Sequence, residues 1–200
     1  MSGSDRAKIV TAEILSDDWA RLTKYTIDYR RRDGRTERQI RQVYDRGDGA
    51  AILPVDPERG TVLLVRQFRM PVEVNHERGG LLIEACAGLL DRNDPETAIR
   101  KEAEEELGYR LTAVRKVYEC YMSPGSVSER LSLFLAAYSP ADRISAGGGD
   151  LGEGEDIEVL EMPLGEAAAM VDNGDIADAK TIILIQRAMR EAYGMSEGEA

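Results

Sequence analysis

Three glutamates that stand close together in the chain have the clearest potential for chemistry. Glu102, Glu105 and Glu106 end a predicted stretch of about three helical turns. On a helix, Glu102 and Glu106 lie on one face because they are four residues apart, and Lys101 offsets only part of the repulsion among the anions. Carboxylate oxygens suit Mg²⁺ or Mn²⁺, which keep bound waters and bind phosphates. The spacing therefore predicts a site for a hard divalent cation.

The stretch from Ala87 to Tyr109 contains these glutamates and resembles the Nudix box, the loop–helix signature of hydrolases that act on nucleoside diphosphates linked to another group. The family pattern is a Gly, five residues, Glu, seven residues, then Arg-Glu-apolar-x-Glu-Glu-x-Gly. The chain matches it at Gly88, Glu102, Ala103, Glu105, Glu106 and Gly108. It departs in three ways: Asp94 replaces the first Glu, the next spacer is one residue shorter, and Lys101 replaces Arg. A glutamate-rich helix alone is usually a solvent-exposed face, but the two glycines at this spacing favour the box.

Over nearly its whole length the chain is similar to the GDP-mannose hydrolase branch of this superfamily. That branch shares the shortened spacer and the Lys at position 101, whereas Asp94 is individual to this chain. The resemblance implies an α/β/α sandwich with a mixed β-sheet, and a homodimer whose N-terminal strands are exchanged between subunits. It rests on short segments such as VRQFR at 65–69, CAGLLD at 86–91, YMSPG at 121–125 and AGGG at 146–149.

The resemblance also implies the metal ligands and the catalytic residues. Carried over by position, the metal ligands are Glu102, Glu106, Glu155 and the backbone oxygen of Ala87. The catalytic candidates are Glu105, Glu106, Glu153 and Glu155. Glu155 either completes the ligand set or acts as the base that activates water. Two extra residues after Gly149 leave the choice between Glu153 and Glu155 open.

The candidate substrate-binding residues come from several parts of the chain. Trp19 falls at an aromatic position that contacts the nucleotide from the partner chain. Glu129 follows the Pro-Gly turn and either hydrogen-bonds a sugar hydroxyl or is a plain surface glutamate. Lys180 lies near the start of the last predicted helix, where the helix dipole disfavours a positive charge. This position therefore favours an anion partner for Lys180. The full set is Trp19, Arg41, Arg69, Ala87, Gly88, Leu89, Glu129 and Lys180.

Composition restricts the possible functions. The chain has 200 residues, 42% of them hydrophobic, which allows one substantial domain with a small appendage. A net charge of -11 argues against a general nucleic-acid binder, since phosphate contacts need a basic surface. With His76 as the single histidine and Cys86 and Cys120 as the only cysteines, a four-ligand zinc site or a histidine-based triad is not expected. No signal segment or membrane span is evident, so we expect a cytoplasmic protein without membrane contact.

A small β unit is predicted to precede a larger domain. It covers residues 9–44 and turns at Asp33-Gly34. A run of arginines between residues 30 and 46 is either a charge-protected edge or a set of substrate contacts. We expect an N-terminal antiparallel β-sheet for dimerisation and substrate contact at 1–47, a Nudix domain at 48–194 and a disordered tail at 195–200. The larger domain has predicted strands at 50–55, 61–70, 81–86, 113–122, 131–138 and 157–162, and predicted helices at 164–173 and 179–193.

The acidic segment 145–155 contains five glycines in the sequence SAGGGDLGEGE. One interpretation is an ordinary flexible linker. The other is a mobile loop that brings Glu153 or Glu155 over the metal once substrate binds.

Together these features predict hydrolysis of the pyrophosphate bond of a nucleoside-diphosphate sugar, with Mg²⁺ or alternatively Mn²⁺. The first candidate is GDP-mannose, which would give GMP and mannose 1-phosphate. Two alternatives stay open: an ADP-ribose pyrophosphatase, and a non-catalytic regulator that binds a nucleotide sugar on the same fold.

Overall fold

The N-terminal strands form an antiparallel sheet of three, in which the central strand pairs with both neighbours. Its strands are β1 (Ala7–Asp17), β2 (Arg21–Arg30) and β3 (Thr36–Asp45). The predicted hairpin joins β2 to β3, and Gly34 in its turn has φ 86°, a conformation that glycine adopts without steric cost.

The computed structural model describes residues 6–90, 92–150, 152 and 154–194. They form two units: residues 6–48 with 121–130, and residues 49–120 with 131–194. Within the first unit, Tyr44 of β3 forms a parallel bridge with Val127. The predicted tail at 195–200 lies outside the described residues.

The larger unit is built on a mixed sheet of seven strands with the order β10-β5-β4-β9-β8, to which β6 is added beside β5 and β7 beside β4. β4 runs parallel to β9 and antiparallel to β5 and β7. The strands are β4 (Gly49–Asp56), β5 (Thr61–Phe68), β6 (Leu81–Glu84), β7 (Cys86–Leu89), β8 (Val114–Tyr121), β9 (Arg130–Ala137) and β10 (Glu158–Pro163).

Helices cover both faces of this sheet. They are α1 (Met70–Glu73), α2 (Pro95–Glu102), α3 (Leu164–Asp172) and α4 (Ala179–Ala192). Both α2 and α4 contact β4, and alternate residues of a strand point to opposite faces. Accordingly β4 is buried almost throughout, with Ile52 in one core cluster together with Ile99 of α2.

The predicted α/β/α sandwich with a mixed sheet and a small N-terminal antiparallel sheet is confirmed. Most strands and helices predicted from apolar spacing are present at closely similar positions. The strand predicted at 81–86 is instead divided between β6 and β7, which pair with β5 and β4 respectively. Within the described part of the chain, no helix is both long enough and apolar enough to cross a membrane.

Candidate active site

Asp94 fixes the start of the helix that carries the glutamates. Its side chain is the N-cap of α2, and Oδ1 accepts hydrogen bonds from the backbone N–H groups of Glu96 and Thr97, both at 3.1 Å. An aspartate cap satisfies amide groups that have no partner inside the helix. The residue that stands where the family pattern has its first Glu therefore has a structural role of its own.

The last turn of the box helix differs from the regular helix that the sequence predicts. After α2 the chain continues as a π turn, Ala103–Leu107, and ends at Gly108 with φ 77° and ψ 22°. A Cβ at Gly108 would lie 2.6 Å from the carbonyl oxygen of Ser145, so glycine is required for conformation and for space. π turns occur mostly as single turns, frequently at functional sites.

The glycine-rich segment after Ser145 is bonded to the end of this π turn. The backbone N–H of Gly148 donates to the carbonyl oxygen of Glu106 at 2.9 Å, and that of Gly149 donates to Glu105 at 3.2 Å. The last carbonyls of a helix have no partner within it, and this segment supplies their donors. The described residues of the segment are thus part of the site's framework and not a simple linker.

Glu106 is the buried acid of the site. It is 2% exposed and accepts hydrogen bonds from the Cys86 thiol and from the backbone N–H of Ala87, which lies 3.2 Å from Oε2. Burial raises the pKa of Glu106 to about 7; the hydrogen bond from Cys86 opposes the rise, and the charges of Glu102 and Glu155 add to it. Three of the predicted site carboxylates therefore act on one another.

Glu102 lies against the glycine of the box turn. A Cβ added to Gly88 would lie only 2.1 Å from Oε1 of Glu102. The carboxylate occupies space that is open only because residue 88 has no side chain. The position of Glu102 therefore requires glycine at residue 88. Leu89, the next residue, is half-buried at the end of β7.

Glu155 is held by the loop that contains it. Its Oε2 accepts a hydrogen bond from the backbone N–H of Asp150 at 2.9 Å, and its own N–H donates to the Asp150 carbonyl at 3.2 Å. Glu153 lies outside the described residues, so the choice between the two loop glutamates stays open. Glu105 is exposed and its carboxylate lies 3.3 Å from the Lys101 ammonium, as the spacing predicts.

A second cluster, of buried and partly buried charges, surrounds Glu84 at the end of β6. Glu84 is 2% exposed and accepts hydrogen bonds from Arg69, through Nε at 2.6 Å and Nη2 at 3.2 Å, and from the ammonium of Lys180. Lys180 also lies 3.1 Å from Asp178, the N-cap of α4. Burial works to raise the pKa of Glu84, but the charge of Lys180 and the hydrogen bond from Arg69 outweigh it and lower the pKa.

Arg69 links the two clusters electrostatically. Burial works to lower its pKa, but the hydrogen bond and charge of Glu84, and then the charges of Glu106 and Asp178, raise the pKa. Its side chain is 39% exposed, and no described residue hydrogen-bonds to Nη1. A cation with one open nitrogen beside an acid cluster can bind a phosphate oxygen.

Three of the predicted substrate-binding residues lie in the N-terminal unit. Trp19 is 68% exposed, and the Arg46 guanidinium lies 5.8 Å from the centre of its ring. Arg41 is exposed on β3. Glu129 is buried and accepts a hydrogen bond from Arg46 Nε at 2.7 Å, so it is not a plain surface glutamate. The contacts of these residues with substrate stay predictions.

The donor set suits a hard divalent cation. Among the residues that the structure describes, no three His, Cys, Asp or Glu side chains are grouped closely enough to hold an ion as they stand. Glu102, Glu106 and Glu155 are predicted ligands with carboxylate oxygens, and the charges of Glu102 and Glu155 raise the pKa of Glu106. Like charges around a buried carboxyl are relieved by a nearby cation, so these residues fit Mg²⁺ or Mn²⁺ in their chemistry.

Sequence reasoning missed two contributors to the site. Glu84 was not among the predicted residues, although a single carboxylate within the apolar run LLIEACAGLL was a detectable signal, because a buried charge is rare unless it is paired. Cys86 was considered in the argument against a zinc site; it is buried, and its thiol donates to Glu106. Nothing in its spacing indicated that bond.

Two family models match the chain. A family model described as "NUDIX domain" matches residues 45–189. A second model, described as "GDP-mannose pyrophosphatase NudK N-terminal domain", matches residues 6–44. The two matches together cover both units of the chain.

Two curated relatives are both named GDP-mannose pyrophosphatase. The protein from Pectobacterium atrosepticum is 54% identical over 181 residues, which cover 90% of this chain and 93% of the relative. The protein from Citrobacter koseri is 50% identical over 182 residues, covering 91% and 94%. A solved structure titled "Crystal structure of ADP compounds hydrolase" covers 99% of this chain and 100% of that chain with a TM-score of 0.72 at 15% identity, a likeness of fold alone.

Proposed function

This chain belongs to the Nudix hydrolase family, and on that premise we propose that it hydrolyses the pyrophosphate bond of a nucleoside-diphosphate sugar, with GDP-mannose as the first candidate. Water would attack one phosphorus, the bridging P–O bond would break, and the products would be GMP and mannose 1-phosphate. The observation that carries the proposal is the cluster around Glu106, in which a buried carboxyl shares its surroundings with two further carboxylates.

The carboxylates would bind the metal, and Arg69 would bind the diphosphate directly. Glu102, Glu106, Glu155 and the Ala87 carbonyl would hold a divalent cation, which when bound neutralises the diphosphate and makes its phosphorus easier to attack. Arg69 would donate hydrogen bonds to phosphate oxygens and stabilise the charge that grows in the transition state.

The loop glutamate would act on the attacking water. Glu155, or Glu153 in its place, would orient the water and accept its proton, an effect typically of about 10²–10⁴-fold. Glu155 is the first candidate for this role because its carboxylate accepts a hydrogen bond from the Asp150 amide and its charge acts on Glu106. Where Glu155 serves as a ligand instead, Glu153 is the candidate base.

The remaining predicted roles are part of the same proposal. Trp19 and Arg41 would bind the nucleotide, in a homodimer whose N-terminal strands are exchanged. Lys180 would contribute positive charge for the phosphates, and Glu129 would bind the sugar. Glu105, which is exposed and paired with Lys101, is the weakest of the catalytic candidates.

A substrate panel tests the proposal. GDP-mannose, ADP-ribose, ADP-glucose, UDP-glucose and diadenosine polyphosphates are incubated with the protein in Mg²⁺ or in EDTA, and the products are separated by chromatography. We expect release of GMP and mannose 1-phosphate as the fastest reaction, only with the metal. Reaction in H₂¹⁸O identifies the attacked phosphorus, because the label enters the product that carries it.

The panel also separates the alternatives. The Glu106→Gln variant, purified in the same way, controls for a contaminating hydrolase. Faster cleavage of ADP-ribose would keep the mechanism and replace the substrate. Binding of GDP-mannose without any product in Mg²⁺ would contradict the hydrolase proposal and support a regulator.

A further inference from the structure

Glu84 is placed to control two cations at once. Glu84 is 2% exposed, and its carboxylate accepts hydrogen bonds from Arg69 on both oxygens and from Lys180 on one of them. Isolating such charges from water is costly, and apolar residues of similar size often stabilise a fold better than a buried ion pair. A buried carboxylate that bonds two cations is a candidate for a role in positioning them.

The same network continues into the framework of the site. The backbone N–H of Ala85 donates to Thr181 Oγ1 at 2.7 Å, and that hydroxyl donates to Asp178 Oδ2 at 2.5 Å. Lys180 lies between Asp178, at 3.1 Å, and Glu84. The junction between β6 and β7, which leads to the box turn, is therefore joined to the first turn of α4 by a chain of buried and partly buried hydrogen bonds and ion pairs.

Arg69 has a second set of carboxylates within electrostatic reach. The charge of Glu106 contributes to the raised pKa of Arg69, after the hydrogen bond and charge of Glu84. If Glu84 did not hold the guanidinium, the charges of Glu106 and Asp178 would still attract it, and Glu106 is one of the carboxylates that are proposed to bind the metal. An arginine paired with them would compete with the cation for the same oxygens.

We propose that Glu84 is a positioning residue that holds Arg69 and Lys180 as a fixed pair facing the substrate's phosphates and keeps Arg69 away from the metal-binding carboxylates. The consequence for phosphates rests on the function proposed above. The separation of Arg69 from the carboxylates does not, because it can be measured as metal binding without substrate.

The test replaces Glu84 by Gln, which keeps the size and removes the charge. Mn²⁺ affinity is measured by electron paramagnetic resonance on the substrate-free protein, and kcat and KM are measured with GDP-mannose. In Glu84→Gln we expect the Kd for Mn²⁺ to rise about 10-fold, as when a partner of a metal ligand is disturbed. We expect kcat/KM to fall about 100-fold because the substrate is misplaced.

A second substitution separates positioning from a general loss of structure. Adding Arg69→Gln to Glu84→Gln removes the competing cation, so Mn²⁺ affinity should return towards the wild-type value while turnover stays low. A purely structural role of Glu84 predicts the opposite, since the double variant would then bind Mn²⁺ no better than the single one.

Glu158→Gln is the matched control. It breaks an Arg–Glu pair on the neighbouring strands β5 and β10, where Glu158 pairs with Arg66 and its side chain is 52% exposed. We expect Mn²⁺ affinity, kcat and KM close to those of the wild type, because exposed pairs contribute little.

Glu84→Asp gives the test a second route if Glu84→Gln does not fold. The shorter carboxylate keeps the charge, so Mn²⁺ affinity should stay near the wild-type value, while KM should rise because the two cations are no longer held at full reach. Unchanged Mn²⁺ affinity in Glu84→Gln, or unchanged KM and kcat in Glu84→Asp, would overturn the inference. A wild-type protein that cleaves no nucleotide sugar would instead refute the proposed function, and the Mn²⁺ measurements would still decide the role of Glu84.

Discussion

Glu106 combines burial with negative charge, and that combination has opposite consequences for stability and for activity. Its pKa of about 7 in the folded protein lies above the ordinary value for glutamate. A carboxyl whose pKa is raised by folding contributes stability below its unfolded pKa and loses it as pH rises through the folded pKa. In the absence of metal, ionised Glu106 therefore destabilises the fold above about pH 7.

Glu106→Gln is expected to separate these two effects. Turnover should fall by more than about 100-fold. That figure is the upper end of the loss when only a hydrogen-bond partner of a metal ligand is removed, and here the proposed ligand itself is replaced. At pH 8 without metal, the variant should unfold at a higher temperature than the wild type because no charge is buried. Activity assays and thermal denaturation at pH 5 and pH 8 measure both. Glu104 lies on the same turn and pairs with Arg110. Glu104→Gln is therefore the control and should retain activity. An active Glu106→Gln enzyme would refute the ligand assignment.

Gly88 gives a prediction about space. An added methyl group would lie within 2.6 Å of Oε1, Cδ and Cγ of Glu102, which all belong to one flexible side chain. The fold should therefore tolerate Gly88→Ala, while the displaced carboxylate should raise the Mg²⁺ concentration for half-maximal activity by about 10-fold. A metal titration of activity, with circular dichroism for the fold, measures this. A normal metal requirement would show that Glu102 does not bind the ion from this position.

Gly108→Ala is the contrasting glycine variant. Here φ is 77° and the obstructing atoms belong to the backbone of Ser145 and Gly147. Alanine at such a position destabilises by more than about 1 kcal/mol. Urea denaturation should therefore show a clear loss of stability for Gly108→Ala and little for Gly88→Ala. The two glycines of one motif would then have different physical roles.

At the scale of elements, the box helix shows what local sequence determines. An aspartate followed by a proline is typical of a helix N-cap, so the cap at Asp94 was detectable from local sequence, although Asp94 was considered only as the replacement for the first Glu of the box. The π turn was not predictable in the same way, because its last carbonyls are satisfied by Gly148 and Gly149, more than forty residues later in the chain. Apolar runs likewise identified most strands, but not that β4 pairs parallel to β9 and antiparallel to β7. Local patterns determine elements, whereas partners far apart in sequence determine how those elements end and pair.

The cap of α2 can be tested by substitution. Asp94→Ala removes the acceptor for the amides of Glu96 and Thr97 and should cost about 1 kcal/mol of stability. Asp94→Asn keeps an acceptor oxygen and should cost much less. Urea denaturation of both variants gives the comparison. Equal losses would show that charge at the helix dipole, and not the hydrogen bonds, is what Asp94 contributes.

For the whole molecule, the net charge of -11 complicates any measurement with metal ions. Salt screens repulsion between surface anions and stabilises an acidic protein without binding at a particular site. A specific site differs because it saturates and depends on its own ligands. The acidic character and the carboxylate cluster were predictable from the sequence. The burial of Glu106 was not, and it means that the cluster destabilises the folded state when no counter-ion is bound.

Metal-linked stabilisation distinguishes the two effects. A cation that binds only the folded state stabilises it by about 2.7 kcal/mol when its concentration is one hundred times Kd. We expect MgCl₂ or MnCl₂ to raise the Tm of the wild type at constant ionic strength, and EDTA to reverse the rise. In Glu106→Gln the metal-dependent part should disappear, while the rise produced by NaCl alone should be the same in both proteins. If the two proteins respond equally to the divalent ion, its effect is screening of the negative surface, and the buried carboxyl does not hold it.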